Sequence, residues 1–555
     1  MMVSDKKIVK RGTFVLIVHF FLFGIVGAHI FTLQVLEAEM LRSYAWREHN
    51  ALITFSPRRG EILDRRGKVL AFSVPNYSIY YYPVGGEGLD KDKLRKVSEI
   101  LSMTPEELEN RIGEGKRFVW IIRKLPKERA EEIRSKFREM KLRCFGFVEE
   151  DRRFYPNDEV ASNILGFTGI DDQGLAGIEY VYEDFLKGDK KEVFLRRDAG
   201  GGAIPDEKIL ELPVLVSRRE IVLTIDINLQ ALCEELLKKK VLENKAKGGC
   251  LVVLDSKTAE VMAMAVYPPS RDRNAAISWV FEPGSVIKPF VVAAALEEGV
   301  AHPNMSFFCP GSITYMGKKI GDTKAHGSLD LSGVVSESCN VGMINLALRM
   351  SPEVIYKYFL GFGFGEHTNI DLPGEERGIL RAPDQWYGVG RVVVAIGQGI
   401  SVTGIQLVSA MNVIANKGVL LRPHVVSELR SDGKVVYRVS RKEIRRVISF
   451  ETAKLVEDML LSVVEKGTGK KAAIPGVRVA GKTGTAQVPG KEGYRKGEYL
   501  SLFLGYFPVE SPRWVILIVI DTPMGGEYYG GEVAAPIFSE VGQILLNLYG
   551  AGVEN

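Results

Sequence analysis

The chain has 555 residues, room for about three to five domains at roughly 100–200 residues each. Lys plus Arg number 73 against 69 Asp plus Glu, a net charge of +4, and 46% of residues are hydrophobic; wholesale disorder is excluded, and a nucleic-acid binder, which needs a clustered basic excess, gains no support. Five scattered cysteines (Cys144, Cys233, Cys250, Cys309, Cys339) with no CxxC, and histidines with no HExxH, argue against a zinc ribbon, a thioredoxin-type pair, a disulfide scaffold and a zincin.

From Gly12 to Leu36 there is no Asp, Glu, Lys or Arg. As a helix at about 1.5 Å per residue this run covers roughly 37 Å, enough for a hydrocarbon core of about 30 Å. A cleaved signal peptide is the competing reading, but its apolar region is usually about 7–15 residues. A retained signal-anchor over 13–36 is therefore expected. Lys6, Lys7, Lys10 and Arg11 precede it and Glu37 and Glu39 follow, so residues 1–12 are expected in the cytoplasm and the rest outside. His19, His29 and Gln34 lie within the span and are expected to face a partner helix, with His29 and Gln34 reaching the outer headgroups as the alternative.

Residues 37–215 mix strand-like and charged helix-like stretches. Thr104-Pro105-Glu106-Glu107 reads as a capping box with proline at the first helical position. Phe118–Ile122 reads as a buried strand and Lys127–Met140 as a solvated helix, and Asp198–Pro205 and Leu212–Arg219 read as closing loops. From Ile221 the texture changes. Asp226 can cap a helix to about Val241, and the apolar runs Cys250–Leu254 and Val261–Ala265 read as a hairpin. A mostly helical middle is expected, then strands over Arg478–Lys482, Leu500–Phe507 and Trp514–Ile520 and a last helix over about Ala535–Tyr549. Five strands at the two ends of a domain, with helices between, imply one antiparallel sheet flanked by helices, an α+β fold.

Within that domain Ser285-Val286-Ile287-Lys288 leads into Phe290–Leu296, apolar nearly all round, so the helix should be buried, with Gly299 as its stop. Serine and lysine at i and i+3 share one face, and a lysine kept neutral by burial and nearby cations can take the proton of a serine nucleophile. An SxxK alone is weak evidence, since chance copies are common. Ser338-Cys339-Asn340 is expected on a short loop between helices over Asp330–Glu337 and Gly342–Met350, and Lys482-Thr483-Gly484-Thr485 ends an apolar run rich in donors.

The order SxxK, SxN, KTG resembles the penicillin-recognising serine acyl-enzymes. Arg59-Gly60-Glu61-Ile62-Leu63-Asp64-Arg65 with Gly67 and Leu70-Ala71 resembles the opening of the non-catalytic domain of class B penicillin-binding proteins. Arg153-Phe154-Tyr155-Pro156, Leu165-Gly166-Phe167 and Gly174–Glu179 resemble its second signature; Leu223–Asp226 with Gln230, Gly467-Thr468-Gly469 and Tyr529–Pro536 resemble the transpeptidase domain. The likeness implies a cytoplasmic tail (1–12), an anchor (13–36), an elongated α+β pedestal or dimerisation domain (37–215), a transpeptidase domain with a five-stranded antiparallel sheet (216–548) and a tail (549–555). Glu282 and Tyr528–Pro536 most resemble the division-specific FtsI (penicillin-binding protein 3) branch, with the elongation branch the alternative.

What the resemblance implies is a D,D-transpeptidase of the inner membrane that cross-links peptidoglycan stem peptides ending in D-Ala-D-Ala, and a target of β-lactams. Ser285 would be the nucleophile, Lys288 its base, Ser338 a proton relay and Asn340 an orienter of the peptide and of Lys288. Lys482 would keep the site cationic; Thr483, Gly484 and Thr485 would receive the substrate carboxylate, and the backbone N–H groups of Ser285 and Thr485 would form the oxyanion hole. No metal or organic cofactor is implied. The implied partners are an amine acceptor on a neighbouring stem peptide, a polytopic SEDS glycan polymerase of the FtsW/RodA kind and other divisome membrane proteins. A carboxypeptidase or β-lactamase would need a base for water, and Glu366 with Asn369 offers a loose ExxN pattern. A β-lactam sensor would need a signalling module. Cys339 is expected to be a small packing residue, with a thiol that modulates the site, or one paired with another cysteine, as alternatives.

Overall fold

The computed structural model describes residues 4–55, 57–82, 89–113, 118–189, 191–196, 218–490 and 493–550. The chain forms two compact units, Met1–Pro57 with Gly188–Ser217 and Arg58–Lys187 with Arg218–Asn555. Asp198–Pro205 and all but the end of Leu212–Arg219 lie outside the described residues.

In the first unit helix α1 (Ser4–Phe31) continues through a wide π turn at Thr32–Leu36. Lys6–Leu36 is long and apolar enough to cross a membrane. His19 Nδ1 meets the carbonyl of Val15 at 2.8 Å, so part of its polarity is satisfied by its own helix, a possibility beside a partner helix. Strand Asn50–Phe55 pairs antiparallel with Lys191–Arg196.

The second unit holds two large sheets. The first runs Lys434–Arg438, Val426–Ser431, Arg219–Leu223, Glu61–Leu63, Val69–Tyr81 and Val119–Leu125, with Phe145–Phe154 also on Val69–Tyr81. Glu61–Leu63 and Arg219–Leu223 pair in parallel, so one sheet joins stretches on both sides of residue 216. Val119–Leu125 is at the end of the strand order, which explains why Phe118 and Trp120 are half-exposed where a buried strand was expected. They shelter against Tyr80, Phe118 stacked and Trp120 edge-on. Lys127–Glu139 likewise buries Ala130, Ile133 and Phe137, a narrow apolar stripe beneath a charged surface, and is not simply solvated. The box at Thr104 forms as the sequence implies, with both Thr104–Glu107 bonds present.

The second sheet is made of β1 (Gly248–Asp255), β2 (Val261–Tyr267), β3 (Ala480–Gly490), β4 (Gly493–Phe507) and β5 (Trp514–Asp521), all antiparallel, in the order β3-β4-β5-β1-β2. Its strands are apolar without alternation because both faces are covered. Leu251, Val253, Ile516 and Ile518 face one core with Leu237 and Phe538; Cys250, Val252, Val515 and Leu517 face the other, with Phe290 and Leu407. Asp226 caps Ile227–Glu243 by accepting from Asn228 and Leu229, and Tyr549 of the last helix donates to its carboxylate at 2.6 Å.

Helix α2 (Lys288–Glu297) has no solvent-facing side over its first eight residues. Its Val and Phe side chains contribute about 1.5–3 kcal/mol each by burial, which anchors its N-terminal end in the unit's centre. The segment after it is less helical than its sequence implies. Short strands at Ser306–Cys309, Ser312–Tyr315, Lys318–Gly321 and Gly327–Asp330 form two small antiparallel pairs, and more strands follow between Val419 and Arg446. Four-residue strands of mixed composition carry too little periodicity to be read from sequence.

Candidate active site

Ser285 stands on a single 3-10 turn (Gly284–Ile287) whose end runs into α2 at Lys288. The turn lies hard against β3. Gly284 has φ +54°, and a Cβ there would meet the Thr485 carbonyl at 3.0 Å. A Cβ on Gly484 would meet Val286 Cγ1 at 2.9 Å. Glycine on both sides thus brings the backbones of Ser285 and Thr485 together, as a pair of oxyanion donors requires.

The amine of Lys288 is fully buried and faces the second motif: it donates to the Ser338 carbonyl (2.6 Å), Ser338 Oγ (3.2 Å) and Asn340 Oδ1 (2.8 Å). Lys482, equally buried on β3, donates to the same Ser338 Oγ at 2.9 Å. Ser338 therefore bridges two amines. Burial pushes Lys288 down to about 8, against the opposing pull of Asp322. Lys482 lies well below the ordinary lysine range through burial first and the charge of Lys288 second. A pair so placed favours carrying one charge between its members, so the expectation of Lys482 as a standing cation meets an opposing force. Among the described residues the half-buried Ser285 hydroxyl makes no side-chain hydrogen bond; the amine of Lys288 is held instead on Ser338 and Asn340.

Ser338 has φ +57°, and the short loop narrows to Glu337–Cys339 because Asn340 already opens helix α3 (Asn340–Ala347). Asn340 also donates to the Gly321 carbonyl at 3.2 Å. Thr483 Oγ1 meets Thr468 Oγ1 at 2.7 Å, and Thr485 Oγ1 accepts from the Gly530 N–H at 3.0 Å. Gly467, Gly530 and Gly531 fit where a Cβ would lie within 2.4 Å of the carbonyls of Ser336, Gly484 and Thr468 respectively, so the start of the last helix packs closely on β3 and on the Gly467–Gly469 turn, and that turn on the end of the helix before Ser338. Ser285, Ser338, Asn340, Thr468, Thr483 and Thr485 line one open cleft. Glu282 and Tyr528–Pro536 stood out in the sequence only as marks of a branch, and their place at the site was not foreseen. Tyr499, Tyr528 and Tyr529 stack along that cleft at centroid spacings of 4.2 and 4.4 Å, where the paired tyrosines after Gly525-Gly526 were the available signal. Buried Glu282 accepts from Gly399 N–H and Tyr494 Oη, both at 2.8 Å, and so braces the approach to Ser285. Glu366, by contrast, is ion-paired with Arg445 and lines a separate small pocket with Asn369.

The arrangement can deliver a serine oxygen to a carbonyl, hold the resulting oxyanion and shuttle a proton along Lys288, Ser338 and Lys482. Two family models match the chain: the penicillin-binding protein transpeptidase domain over residues 249–543 and the penicillin-binding protein dimerisation domain over 54–211. The chain is 33% identical to stage V sporulation protein D of Bacillus subtilis, over 98% of this chain and 86% of that protein. It is 33% identical to the peptidoglycan D,D-transpeptidase FtsI of Escherichia coli, over 92% and 87%. Among solved structures it is similar to a peptidoglycan synthetase from Bifidobacterium adolescentis (TM-score 0.71, 26% identity, covering 90% of this chain and 97% of that one). Penicillin-binding protein 3 of Mycobacterium tuberculosis bound to aztreonam gives TM-score 0.68 and 27% identity, with 89% and 97% covered. The chain belongs to the class B penicillin-binding proteins.

Proposed function

We propose that this chain is a peptidoglycan D,D-transpeptidase that works through an acyl-enzyme on Ser285, and that it serves septal wall synthesis. The observation that carries the chemistry is the pair of buried amines meeting at the Ser338 hydroxyl, in the cleft that Ser285 also lines. In this reading the Ser285 oxygen attacks the carbonyl between the two D-alanines while its proton passes to neutral Lys288. The backbone N–H groups of Ser285 and Thr485 hold the oxyanion. The C–N bond then breaks, and Ser338, supplied by the lysines, hands a proton to the departing D-alanine amine. An amine from a neighbouring stem attacks the ester, its proton returns along the same path and Ser285 is freed. Thr483, Gly484 and Thr485 would receive the substrate carboxylate, and Asn340 its peptide amide. β-Lactams would stop at the ester.

The septal role is supported by the likeness to FtsI over nearly the whole chain. The likeness to a protein named for sporulation, over 98% of the chain, favours a second reading, in which the same chemistry serves the wall of a developing spore. Helix α1 would anchor the enzyme in the inner membrane with its N-terminus inside, residues 37–215 would form the pedestal, and the helix and pedestal would dock a SEDS polymerase.

Labelling with a fluorescent penicillin, followed by sequencing of the labelled peptide, tests the chemistry; label on a residue other than Ser285 overturns it. Depletion tests the role. Filamentous cells that elongate without dividing support septation, rounded cells assign the elongation branch, and a defect confined to spores supports the second reading. Replacing residues 13–36 by an unrelated span should leave penicillin binding intact and lose midcell recruitment.

A further inference from the structure

Directly behind the second motif lies a group of side chains that the acylation chemistry does not use. Cys309 ends the strand Ser306–Cys309, Asp322 follows the strand Lys318–Gly321, His326 precedes the strand Gly327–Asp330, and Cys339 sits between Ser338 and Asn340. One donor atom from each lies within 4.8 Å of every other. Asp322 Oδ2 is 3.1 Å from Cys339 Sγ, 3.5 Å from Cys309 Sγ and 3.8 Å from His326 Nδ1. The imidazole is only 2% exposed, yet among the described residues neither ring nitrogen makes a hydrogen bond. A buried imidazole left without a partner is costly, and packing alone gives no reason for it.

We propose that Cys309, Asp322, His326 and Cys339 form a structural zinc site that holds the second catalytic motif in place. Tetrahedral zinc with bonds of about 2.0–2.3 Å has donor-to-donor edges of about 3.3–3.8 Å. The three spacings to Asp322 already approach those values, and the remaining ones need movements of about 1 Å. Two sulfurs, an imidazole and a carboxylate, with the Asp322 and His326 side chains almost wholly enclosed, suit a borderline-soft divalent ion in a closed four-coordinate site with no position left for substrate. Each thiol gives up its proton as the Zn–S bond forms.

The surroundings match what such a site needs. Gly342 N–H donates to Cys339 Sγ at 3.2 Å, Val341 N–H to Asp322 Oδ2 at 3.1 Å and Thr323 N–H to Asp322 Oδ1 at 3.0 Å. These groups stabilise negative ligands from the N-terminus of α3 and the adjoining loop. Glu337 Oε2 lies 4.0 Å from His326 Nε2, placed to take the ring N–H once Nδ1 binds metal. Zinc here would fasten two small strand pairs to the residue between Ser338 and Asn340. It would thereby fix the turn from which Ser338 and Asn340 reach Lys288, a positioning role with no part in the bond-making steps.

The test uses the full chain in detergent, equilibrated with zinc sulfate and dialysed, with metal measured by mass spectrometry. About one zinc per chain is expected, falling below about a tenth of that in Cys309→Ser and His326→Ala. Glu337→Gln should keep the metal with roughly tenfold weaker affinity. Cobalt(II) in place of zinc should give the intense visible bands of tetrahedral coordination together with a thiolate charge-transfer band, a readout on the intact chain that no folding defect can mimic. Less than about a tenth of a zinc in the wild-type chain, unchanged metal in both ligand variants, octahedral cobalt, or a Cys309–Cys339 disulfide recovered from the unreduced protein would each overturn the proposal. These outcomes do not depend on transpeptidation, so the site and the activity stand or fall separately.

Discussion

Two buried polar clusters in the second unit use the same exclusion from water to opposite ends. Around Glu179, Arg59 donates Nε to one carboxylate oxygen at 2.6 Å and Arg153 donates Nε to the other at 2.7 Å, while Arg59 also reaches Glu183 and the Glu179 and Asp172 carbonyls. Every charge there has an opposite neighbour. Around Ser338, two lysine amines meet at one hydroxyl, each fully buried, and among the described residues no carboxylate accepts from either. The first cluster turns burial into a fixed arrangement, tying Arg59 to a helix more than a hundred residues away. In the second, burial disfavours the charged form of each amine, which leaves a lysine able to accept a proton. What separates the two is the direct partner, since burial is common to both: carboxylates meet the arginines, whereas the lysine amines meet hydroxyl, carbonyl and amide oxygens, and Asp322 only partly opposes the burial of Lys288.

The sharpest break should come from making the unstable charge permanent. Lys288→Arg keeps a cation of similar reach but cannot become a neutral base, so β-lactam acylation should fall by about 10²–10⁴-fold. Ser285→Ala should abolish it. Stopped-flow acylation with a chromogenic cephalosporin measures both, and an arginine variant acylating at the wild-type rate would put the base elsewhere.

Next in size is the opposite operation on the balanced cluster. Glu179→Gln leaves two buried arginines without their shared carboxylate and should cost about 3–5 kcal/mol of stability. Replacing Arg59, Arg153 and Glu179 together by apolar residues of similar volume should cost much less, because the one charge left without its partner, Glu183, is partly exposed and keeps the Gly174 N–H. Chemical denaturation compares the two. Equal losses would mean that the cluster acts through packing and not through charge.

The two clusters also differed in how legible they were. Ser285 and Lys288 stood out because i and i+3 spacing on an all-apolar segment is visible locally, and Lys482 to Thr485 because a donor-rich run ends an apolar strand. Asp226 and Thr104 could be read as caps for the same local reason. Arg59, Arg153 and Glu179 appeared only as pieces of family signatures, since nothing local joins residues 59, 153 and 179. The three-residue strand Glu61–Leu63 finds its parallel partner at Arg219–Leu223 only through tertiary packing. The four residues behind the second motif share neither a helix face nor a short spacing, and four-residue strands bring them together.

A smaller effect concerns pH. Lys288 titrates at about 8 in the folded chain against an ordinary 10.5. The neutral form grows as pH rises, so acylation should climb up to tenfold per pH unit below about 8 and level off above it. Between about 8 and 10.5 the unfolded chain binds the proton that the folded chain has lost, so this group's contribution to stability increases with pH across that window. A flat acylation profile from pH 6 to 9 would show that the proton leaves by another group.

The smallest effect belongs to a third charged pair, which lacks the burial that the other two share. Glu366 Oε2 lies 2.6 Å from Arg445 Nη2, with side chains 47% and 37% exposed, and pairs in that setting contribute about 0–1 kcal/mol. Glu366 is also the carboxylate that a hydrolase reading would use to activate water, yet it lines a pocket apart from the cleft of Ser285. Glu366→Gln should therefore leave both stability and the lifetime of the penicilloyl-enzyme within about twofold of wild type. Intact-mass measurement of ester decay decides it. A lifetime extended tenfold or more would make Glu366 a deacylating base and the enzyme a hydrolase; an unchanged lifetime leaves the ester waiting for an amine, as the acyl-transfer reading proposed for the Ser338 cluster expects.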